Sequence, residues 1–348
     1  MREKGSDLGV RSSRLKSRNT RAPITKDQTL AVGCDLGGTN LQIAVLHNGR
    51  VRRRCQSSVP ANAAAGDMAA WIAGEVRGIL GAVQPSLRHS PNRSSPLPPR
   101  LGVAIPGFLD GDRRRVVRLS NLPRLDGYAL ADKLERRLRR HILGRVCLDA
   151  DTNASALAEA SIGAARKTRR ALSIVLGTGV GAAMVVDGEI VRVSRHTVGQ
   201  IAHIPLAEGG RRCACGNRGC AEALLSAQGI VARARAAGVT LEFRRTPKDV
   251  YEAAKSGNRP ARRTISETGD LLGRLMGLLA TILSPDRIVL GGGVGGGAAA
   301  LLLPPARRRV ERIARSQVEA GLDVVSGTLD EYAGAVGAAL LAQRAATR

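Results

Sequence analysis

The spacing of apolar residues in the first half of the chain predicts strands that alternate with helices. Residues 1–28 show neither the strand period nor the helix period, which predicts a basic disordered tail. Residues 29–58 predict three strands, joined first by a glycine turn and then by an Asn-Gly turn. In residues 67–83 the apolar positions recur three and four apart, which predicts an amphipathic helix. The Pro/Ser-rich residues 84–100 predict a surface loop that leads into the next strand.

The second half of the chain repeats this pattern. A strand over residues 145–151 leads into a helix, and residues 171–193 then give strand, glycine turn, strand, Asp-Gly turn and strand. Two such units in one chain indicate a duplicated α/β architecture. A long helix, a strand and a third glycine turn are predicted within residues 268–294, and a last helix over residues 331–345.

Composition limits the class of protein. Aromatic residues make up only 2% of the 348 residues, so we expect a core built from Ala, Val, Leu and Ile. No window reaches the roughly 18 uninterrupted apolar residues that a membrane span requires, and the N-terminus has no apolar signal segment. We therefore expect a cytoplasmic protein with no membrane partner, long enough for two domains.

The formal net charge of +25 raises the question of a nucleic-acid partner. The arginines are scattered over short runs such as "RRLRR" and "RKTRR", with no aromatic residues between them for base stacking. This distribution favours a solvated basic surface over a nucleic-acid interface. Such a surface would also attract polyanionic substrates such as nucleotides.

Three glycine turns each follow an apolar strand directly. Their glycines let backbone N–H groups converge on an anion, and the hydroxyls of Thr39 and Thr178 can add donors. Asp35 ends the first strand, where a carboxylate beside phosphates would be repelled unless a cation lay between them, so it indicates Mg²⁺. Ordinary tight turns are the alternative, and the combination with Asp35 favours nucleotide binding. The turns are Gly37-Gly38-Thr39, Gly177-Thr178-Gly179 and Gly291-Gly292-Gly293.

Half of the chain's six cysteines lie in one short stretch, Cys213, Cys215 and Cys220, a few residues after His203. A cytosolic setting disfavours disulfides, and two cysteines separated by one residue are too close for a bridge of their own. Three thiolates and one imidazole on a glycine-flanked loop match a closed tetrahedral zinc site. Because no coordination position stays open, the predicted metal is structural.

The motifs "CDLGGTN", "VAIPG", "LSNLP", "ADTNASALAE", "GTGVGAAMVVDG", "GQIAH…CACGNRGCAE", "IVLGGGV" and "AGAVGAALL" occur in one order along the chain. In sequence and order they resemble the ROK family of bacterial sugar kinases and sugar-responsive repressors, over residues 30–345. The resemblance implies a duplicated ribonuclease-H-like fold of the actin/hexokinase type, with two α/β domains and a nucleotide cleft between them. It implies a first domain over 29–149, joined by the last helix 330–348, and a second domain over 150–329 that carries the zinc loop.

The resemblance also assigns residues to roles. ATP would bind the three glycine turns together with Asp35 and Asn40, and Asp151 would accept the proton of the substrate hydroxyl. Asp151 lies where a strand runs into a helix, so a helix N-cap is its alternative role, and Asp149 is a rival carboxylate. The arrangement of His203 and the three cysteines matches the family's zinc signature. The implied sugar-binding residues are Asn121, Asp151, Gln200, His203 and Glu222.

Three positions depart from the family's pattern. Ala150 stands where the family usually has Asn, Gln200 where it has an acidic residue, and Ala202 where it has Gly. The catalytic and nucleotide motifs are intact while the sugar-reading set is altered. The sequence thus specifies the type of reaction more closely than the substrate.

We therefore expect an ATP-dependent kinase that acts on the primary hydroxyl of a hexose or hexose-like molecule, and that forms a homodimer as the family suggests. One alternative is a kinase for a C7-cyclitol or amino sugar of a secondary-metabolite pathway. Another is a non-catalytic sugar-sensing regulator. A DNA-binding repressor is disfavoured, because the residues before the first strand lack the apolar periodicity of two packed helices.

Overall fold

The computed structural model describes residues 30–60, 62–88, 98–119, 121–193, 198–241 and 246–345. The predicted tail over residues 1–28 lies outside the described residues, as do 89–97 of the predicted loop and the last three residues of the chain. Within the described ranges, no helix is long and apolar enough to span a membrane.

The first part of the chain forms a mixed series of strands and helices. In order, these are β1 (Leu30–Leu36), β2 (Asn40–His47), β3 (Arg50–Ser58), α1 (Ala65–Arg88), β4 (Arg100–Ile105), β5 (Phe108–Leu109), β6 (Val116–Arg118), α2 (Leu130–Leu138), β7 (Cys147–Ala150) and α3 (Asp151–Ile162).

The second part begins with three strands and then becomes largely helical. In order, its elements are β8 (Arg170–Leu176), β9 (Val180–Val186), β10 (Glu189–Ile190), α4 (Ala221–Leu225), α5 (Ala227–Ala236), α6 (Pro247–Lys255), α7 (Arg259–Leu283), β11 (Arg287–Gly291), α8 (Gly292–Gly297), α9 (Ala299–Ile313), α10 (Arg315–Glu319), β12 (Asp323–Ser326) and α11 (Ala333–Arg344).

These elements build two five-stranded mixed sheets of the same topology. The first has the strand order β3-β2-β1-β4-β7 and the second the order β10-β9-β8-β11-β12. In each sheet the first three strands are antiparallel neighbours and the last two run parallel to the central strand. The outer hairpins close through Asn48-Gly49 and Asp187-Gly188, whose positive φ angles are those of the turns that hairpins favour. The duplication predicted from the sequence is thus present in the strand order.

Each sheet buries one face under its own helices. Strands of the first sheet pack with α1 and α2, and strands of the second pack with helices α4 to α9. On the other face of the first sheet, α11 lies directly on β1 and β4. A Cβ atom at Gly33 or Gly102 would lie 1.9 Å from a carbonyl oxygen of α11, so only glycine allows this close approach. The last helix is thereby fixed against the strand that carries Asp35.

Helix α3 occupies the space between the two sheets. It leaves the end of β7 in the first sheet and packs against α11 on one side and β8 and β9 on the other. Its first residue is Asp151, so the expected carboxylate stands at the boundary between the two halves.

Candidate active site

A cleft of about 550 Å³ opens between the junction of β7 with α3 and the β8–β9 turn. This volume is within the usual range of small-molecule sites. Ten of the residues predicted for the site line it: Asn121, Asp151, Gly177, Thr178, Gly179, Gln200, His203, Glu222, Gly292 and Gly293. The fold therefore brings residues from both halves of the sequence to one place.

The first glycine turn lies next to this cleft rather than in its wall. The turn is closed by a hydrogen bond of its own, which the N–H of Gly37 donates to the carbonyl oxygen of Asn40 at 2.9 Å. A Cβ atom at Gly38 would lie 2.9 Å from Cβ of Asn121, a residue that lines the cleft. The cleft lining omits six of the residues predicted to bind the nucleotide, Asp35, Gly37, Gly38, Thr39, Asn40 and Gly291, and also the three cysteines of the predicted zinc site.

Asp151 is the first residue of α3 and not its N-cap, a position that Ala150 occupies with extended backbone. Its Oδ1 accepts a hydrogen bond of 2.7 Å from the N–H of Thr152. Burial raises its pKa to about 6, against a smaller opposing effect of the backbone hydrogen bonds. Asp151 is therefore a carboxylate at neutral pH, yet one that holds a proton more readily than an ordinary Asp does.

Asp35 is the second carboxylate of the site. Burial, followed by the nearby charge of Asp151, raises its pKa to about 8. The start of α11 lies directly against this carboxylate: a Cβ atom at Gly334 would be 2.0 Å from Oδ2 of Asp35. Two carboxylates that repel each other in a confined space favour either a shared proton or a cation between them.

The β8–β9 turn is supported from below by an acidic side chain and by a helix. The N–H of Gly177 donates to the carbonyl oxygen of Gly179 at 2.9 Å, and the N–H of Ala227 at the start of α5 donates to the carbonyl oxygen of Gly177 at 2.9 Å. Oε2 of Glu222 accepts from the N–H of Val180 at 3.3 Å. Glu222, expected from the resemblance to contact the sugar, therefore also touches the turn expected to hold phosphate.

The third glycine segment is not a turn between two strands. Gly291 ends β11, and α8 begins at the next residue. Gly292 has a φ of +84°, and a Cβ atom on it would lie 2.4 Å from the carbonyl oxygen of Leu176 in β8. The glycine is required because the chain changes from strand to helix within one residue while it touches the neighbouring strand.

His203 and the three cysteines converge as the sequence predicts. Their ligand atoms all lie within 4.8 Å of one another. Nδ1 of His203 is 3.7 Å from Sγ of Cys213, and Sγ of Cys215 is 3.7 Å from Sγ of Cys220. Sulfur ligands about 2.3 Å from a tetrahedral zinc lie about 3.8 Å apart, so the cluster has the dimensions of such a site.

The protonation chemistry of this cluster also fits a cation. Without a metal, burial raises the pKa of Cys220 to about 12, and the neighbouring sulfur atoms add to the rise. A bound cation would hold Cys220 as a thiolate beside the other two sulfurs. Nδ1 of His203 faces the cysteines, and His203 also lines the cleft, so the cluster lies directly beside the cleft wall.

Asp149, the rival carboxylate that the resemblance did not favour, has a buried side chain that forms an ion pair with Arg192. Arg192 and Arg113 both line the cleft, and neither is among the predicted site residues. Arg113 belongs to a run of three arginines that resembles the other basic runs. For Arg192, the sequence offers one indication: it is a single charged residue among the apolar residues that end a predicted strand.

Residues 31–345 match the sequence model described as the ROK family. A glucokinase of Halalkalibacterium halodurans is 32% identical over 328 residues, which covers 90% of this chain and 94% of the relative. An N-acetyl-D-glucosamine kinase of Citrobacter koseri is 28% identical over 273 residues, 75% of this chain and 82% of the relative.

Among solved structures, the chain is similar to a ROK family glucokinase from Streptomyces griseus in complex with glucose and AMPPNP. The TM-score is 0.70 at 26% identity, and the match covers 90% of this chain and 99% of that one. The similarity thus extends over both sheets and the cleft between them.

Proposed function

This chain belongs to the ROK family, and on that premise we propose that it is an ATP-dependent kinase for the primary hydroxyl of a hexose or hexose-like substrate. The predicted fold, two α/β domains of the actin/hexokinase type, is confirmed. The observation that carries the proposal is that Asp151, the first residue of α3, lines the same cleft as the Gly177–Gly179 turn.

In this proposal Asp151 removes the proton from the attacking hydroxyl. A pKa near 6 leaves the side chain ionised at neutral pH and basic enough to accept a proton as the oxygen attacks phosphorus. The hydrogen bond from the N–H of Thr152 fixes one carboxylate oxygen and leaves the other for the substrate. Positioning supplies much of the remaining rate, because phosphoryl transfer leaves little covalent chemistry to the protein.

The nucleotide phosphates would lie against neutral donors. In the β8–β9 turn these are backbone N–H groups and the hydroxyl of Thr178, with Thr39 and Asn40 of the first turn nearby. Asp35 would hold Mg²⁺, since a divalent cation removes its repulsion with Asp151. When bound, the cation neutralises charge on the transferring phosphate.

We propose that the cluster of His203, Cys213, Cys215 and Cys220 holds a structural zinc ion. The support is the donor set and its dimensions. The ion would brace the loop on which Gln200 and His203 reach the cleft, without taking part in the reaction.

The altered sugar contacts favour a substrate that differs from glucose. Ala150 and Ala202 place methyl groups in the cleft wall, and Gln200 adds an uncharged amide. An amino sugar is one alternative, as in the Citrobacter koseri relative, and a C7-cyclitol of a secondary-metabolite pathway is another. A sugar-sensing regulator would have no use for a cation site at Asp35, so the presence of Asp35 near Asp151 favours the kinase.

The test is a coupled assay of ADP release with Mg²⁺-ATP across hexoses, amino sugars and cyclitols. Turnover with at least one of them, lost in Asp151→Asn, is expected. Sugar binding without ADP release from any substrate would favour the regulator. Size-exclusion chromatography of the same preparation tests the proposed homodimer.

A further inference from the structure

In the cleft wall, an ion pair joins the last strand of the first sheet to the segment that follows β10. Arg192 follows β10 of the second sheet, and Asp149 belongs to β7 of the first. The guanidinium approaches both carboxylate oxygens of Asp149, with Nη1 3.1 Å from Oδ1 and Nη2 close to Oδ2. The Asp149 side chain is 4% exposed and that of Arg192 21%, so the pair is largely withdrawn from solvent. A two-point pair of this kind fixes direction as well as distance.

The carboxylate of Asp149 also organises the start of α3. Its Oδ1 accepts from the N–H of Ala150 at 2.8 Å and from Nδ2 of Asn153 at 2.8 Å. These two donors flank Asp151 in the sequence. Ala150 is the N-cap residue of α3 and has no side chain with which to cap it, so the junction depends on its neighbours.

We propose that Arg192 is a positioning residue for phosphoryl transfer, acting through Asp149 to hold Asp151 at a fixed place relative to the Gly177–Gly179 turn. The inference rests on the proposed function. The turn joins β8 to β9, and the N–H of Val191, the residue before Arg192, donates to the carbonyl oxygen of Met184 in β9, whereas Asp151 leaves the first sheet through β7. The pair therefore ties the proton acceptor to the phosphate side of the cleft. Reacting atoms must meet at about 3–3.5 Å, and a 1 Å misplacement can cost about 100-fold in rate.

The contribution of Arg192 is one of position rather than of charge on the base. The pKa of Asp151 is set by burial and by backbone hydrogen bonds, and Arg192 is not among its causes. Removing the guanidinium should therefore lower kcat without moving the acid limb of its pH profile. The KM for ATP should change little, because the turn itself is untouched.

The experiment compares Arg192→Gln, Asp149→Asn and the double variant with wild-type protein. Arg192→Gln leaves a buried carboxylate unpaired, so a lower Tm is expected together with a fall in kcat of about 100-fold. The double variant removes that charge and should recover Tm while kcat stays as low as in Arg192→Gln. Arg169→Gln is the matched control, because Arg169 pairs with Asp187 in an exposed ion pair of the same sheet. It should behave as wild type.

Recovery of kcat together with Tm in the double variant would overturn the inference, since stability alone would then explain the loss. A displaced acid limb in Arg192→Gln would also overturn it. Hydrogen exchange of the backbone amides of Ala150 and Thr152 gives a readout independent of turnover. Faster exchange in Arg192→Gln, but not in Arg169→Gln, is expected, and unchanged exchange contradicts the inference. If wild-type protein turned over no sugar, the proposed function would fail. The exchange data would still test whether the Arg192–Asp149 pair orders the start of α3.

Discussion

The β1–β2 hairpin of the first sheet and the β8–β9 hairpin of the second occupy equivalent places in the two sheets. In the first, Leu36 pairs with Leu41, and in the second, Leu176 pairs with Val180, so the first turn is longer by one residue. The residue before each leucine also differs: Asp35 in the first hairpin corresponds to Val175 in the second. The same backbone therefore carries a partly buried carboxylate in the first sheet and an aliphatic side chain in the second.

The parallel neighbours of these strands extend the contrast. Asp35 stands beside Ala104 of β4, which in turn pairs with Asp149 of β7. In the second sheet Val175 stands beside Gly291 of β11, and no carboxylate follows in that row. Under the proposed function the duplicated fold separates two tasks: the first sheet would supply acidic groups for a cation and a proton, and the second would supply neutral donors that a polyanion can approach.

The connections after the outer strands differ as well. In the first sheet, residues 59–64 link β3 to α1. In the second, residues 191–220 separate β10 from α4 and contain the metal-ligand cluster. If the proposed zinc ion binds this cluster, its loss should disturb the second half of the site and leave the first half unchanged.

The largest effect is expected from breaking the cluster. Cys215→Ser should release the roughly one zinc ion per chain expected of a four-ligand site and abolish sugar turnover, because the loop that carries Gln200 and His203 loosens. ATP binding should persist, since the β8–β9 turn has its own support. Metal analysis and binding of a fluorescent ATP analogue measure the two effects.

Cys55→Ser is the matched control for this variant. Cys55 is a half-buried cysteine of β3 outside the cluster, so zinc content and turnover should stay at the wild-type level. A zinc-free Cys215→Ser protein that kept full activity would refute the proposed role of the loop.

Next in size is the effect of removing the proton acceptor. Asp151→Asn should fold normally and lose about 10²–10⁴-fold in kcat, the usual contribution of a general base. Because the base works only when ionised, wild-type kcat should rise with pH through about 6. Rate profiles from pH 5 to 8 measure both effects.

Asp187→Asn, in an exposed turn of the second sheet, is the control for this prediction, and asparagine tolerates its left-handed backbone. It should leave the rate profile unchanged. A profile that stayed flat through pH 6 in wild-type protein would assign proton removal to another group.

A smaller effect concerns how the Tm depends on pH, which should differ between substitutions at Asp35 and at its counterpart Val175. The folded pKa of Asp35 is about 8, above the ordinary 3.8, so the contribution of this group to stability is full below about pH 4 and is lost as pH rises towards 8. Asp35→Asn avoids this loss. Without Mg²⁺ its Tm should exceed that of wild type by about 5 °C at pH 8 and by less at pH 5.

Val175→Thr is the counterpart in the second sheet. It introduces no ionisable group, so any change in its Tm should be the same at pH 5 and pH 8. A pH-independent Tm difference for Asp35→Asn would show that the carboxylate is not forced to ionise in the folded protein.

Local spacing explains what could be predicted from the sequence. The hairpins, the glycine turns after strands and the His203 and cysteine cluster each depend on residues close together in the chain. The Arg192–Asp149 pair could not be predicted, because its members are 43 residues apart and meet only after both sheets form. Helix α1 continues to Arg88, into the predicted loop, because composition indicates a loop without fixing the residue at which the preceding helix ends.

The smallest predicted effect tests whether the sugar contacts depend on both halves. Ala150 ends the last strand of the first sheet, Gln200 belongs to the loop after the second sheet's outer strand, and both line the cleft. Replacing a neutral hydrogen bond by a charge-assisted one gains about 1–2 kcal/mol, so Ala150→Asn with Gln200→Glu should lower the KM for glucose by about 5–30-fold with little change in kcat. Asn is also a favoured N-cap, so Ala150→Ser, which caps α3 but reaches less far into the cleft, separates helix stability from sugar contact. Glucose as the best wild-type substrate, with a KM well below millimolar and no gain in the double variant, would mean that other groups already supply these contacts.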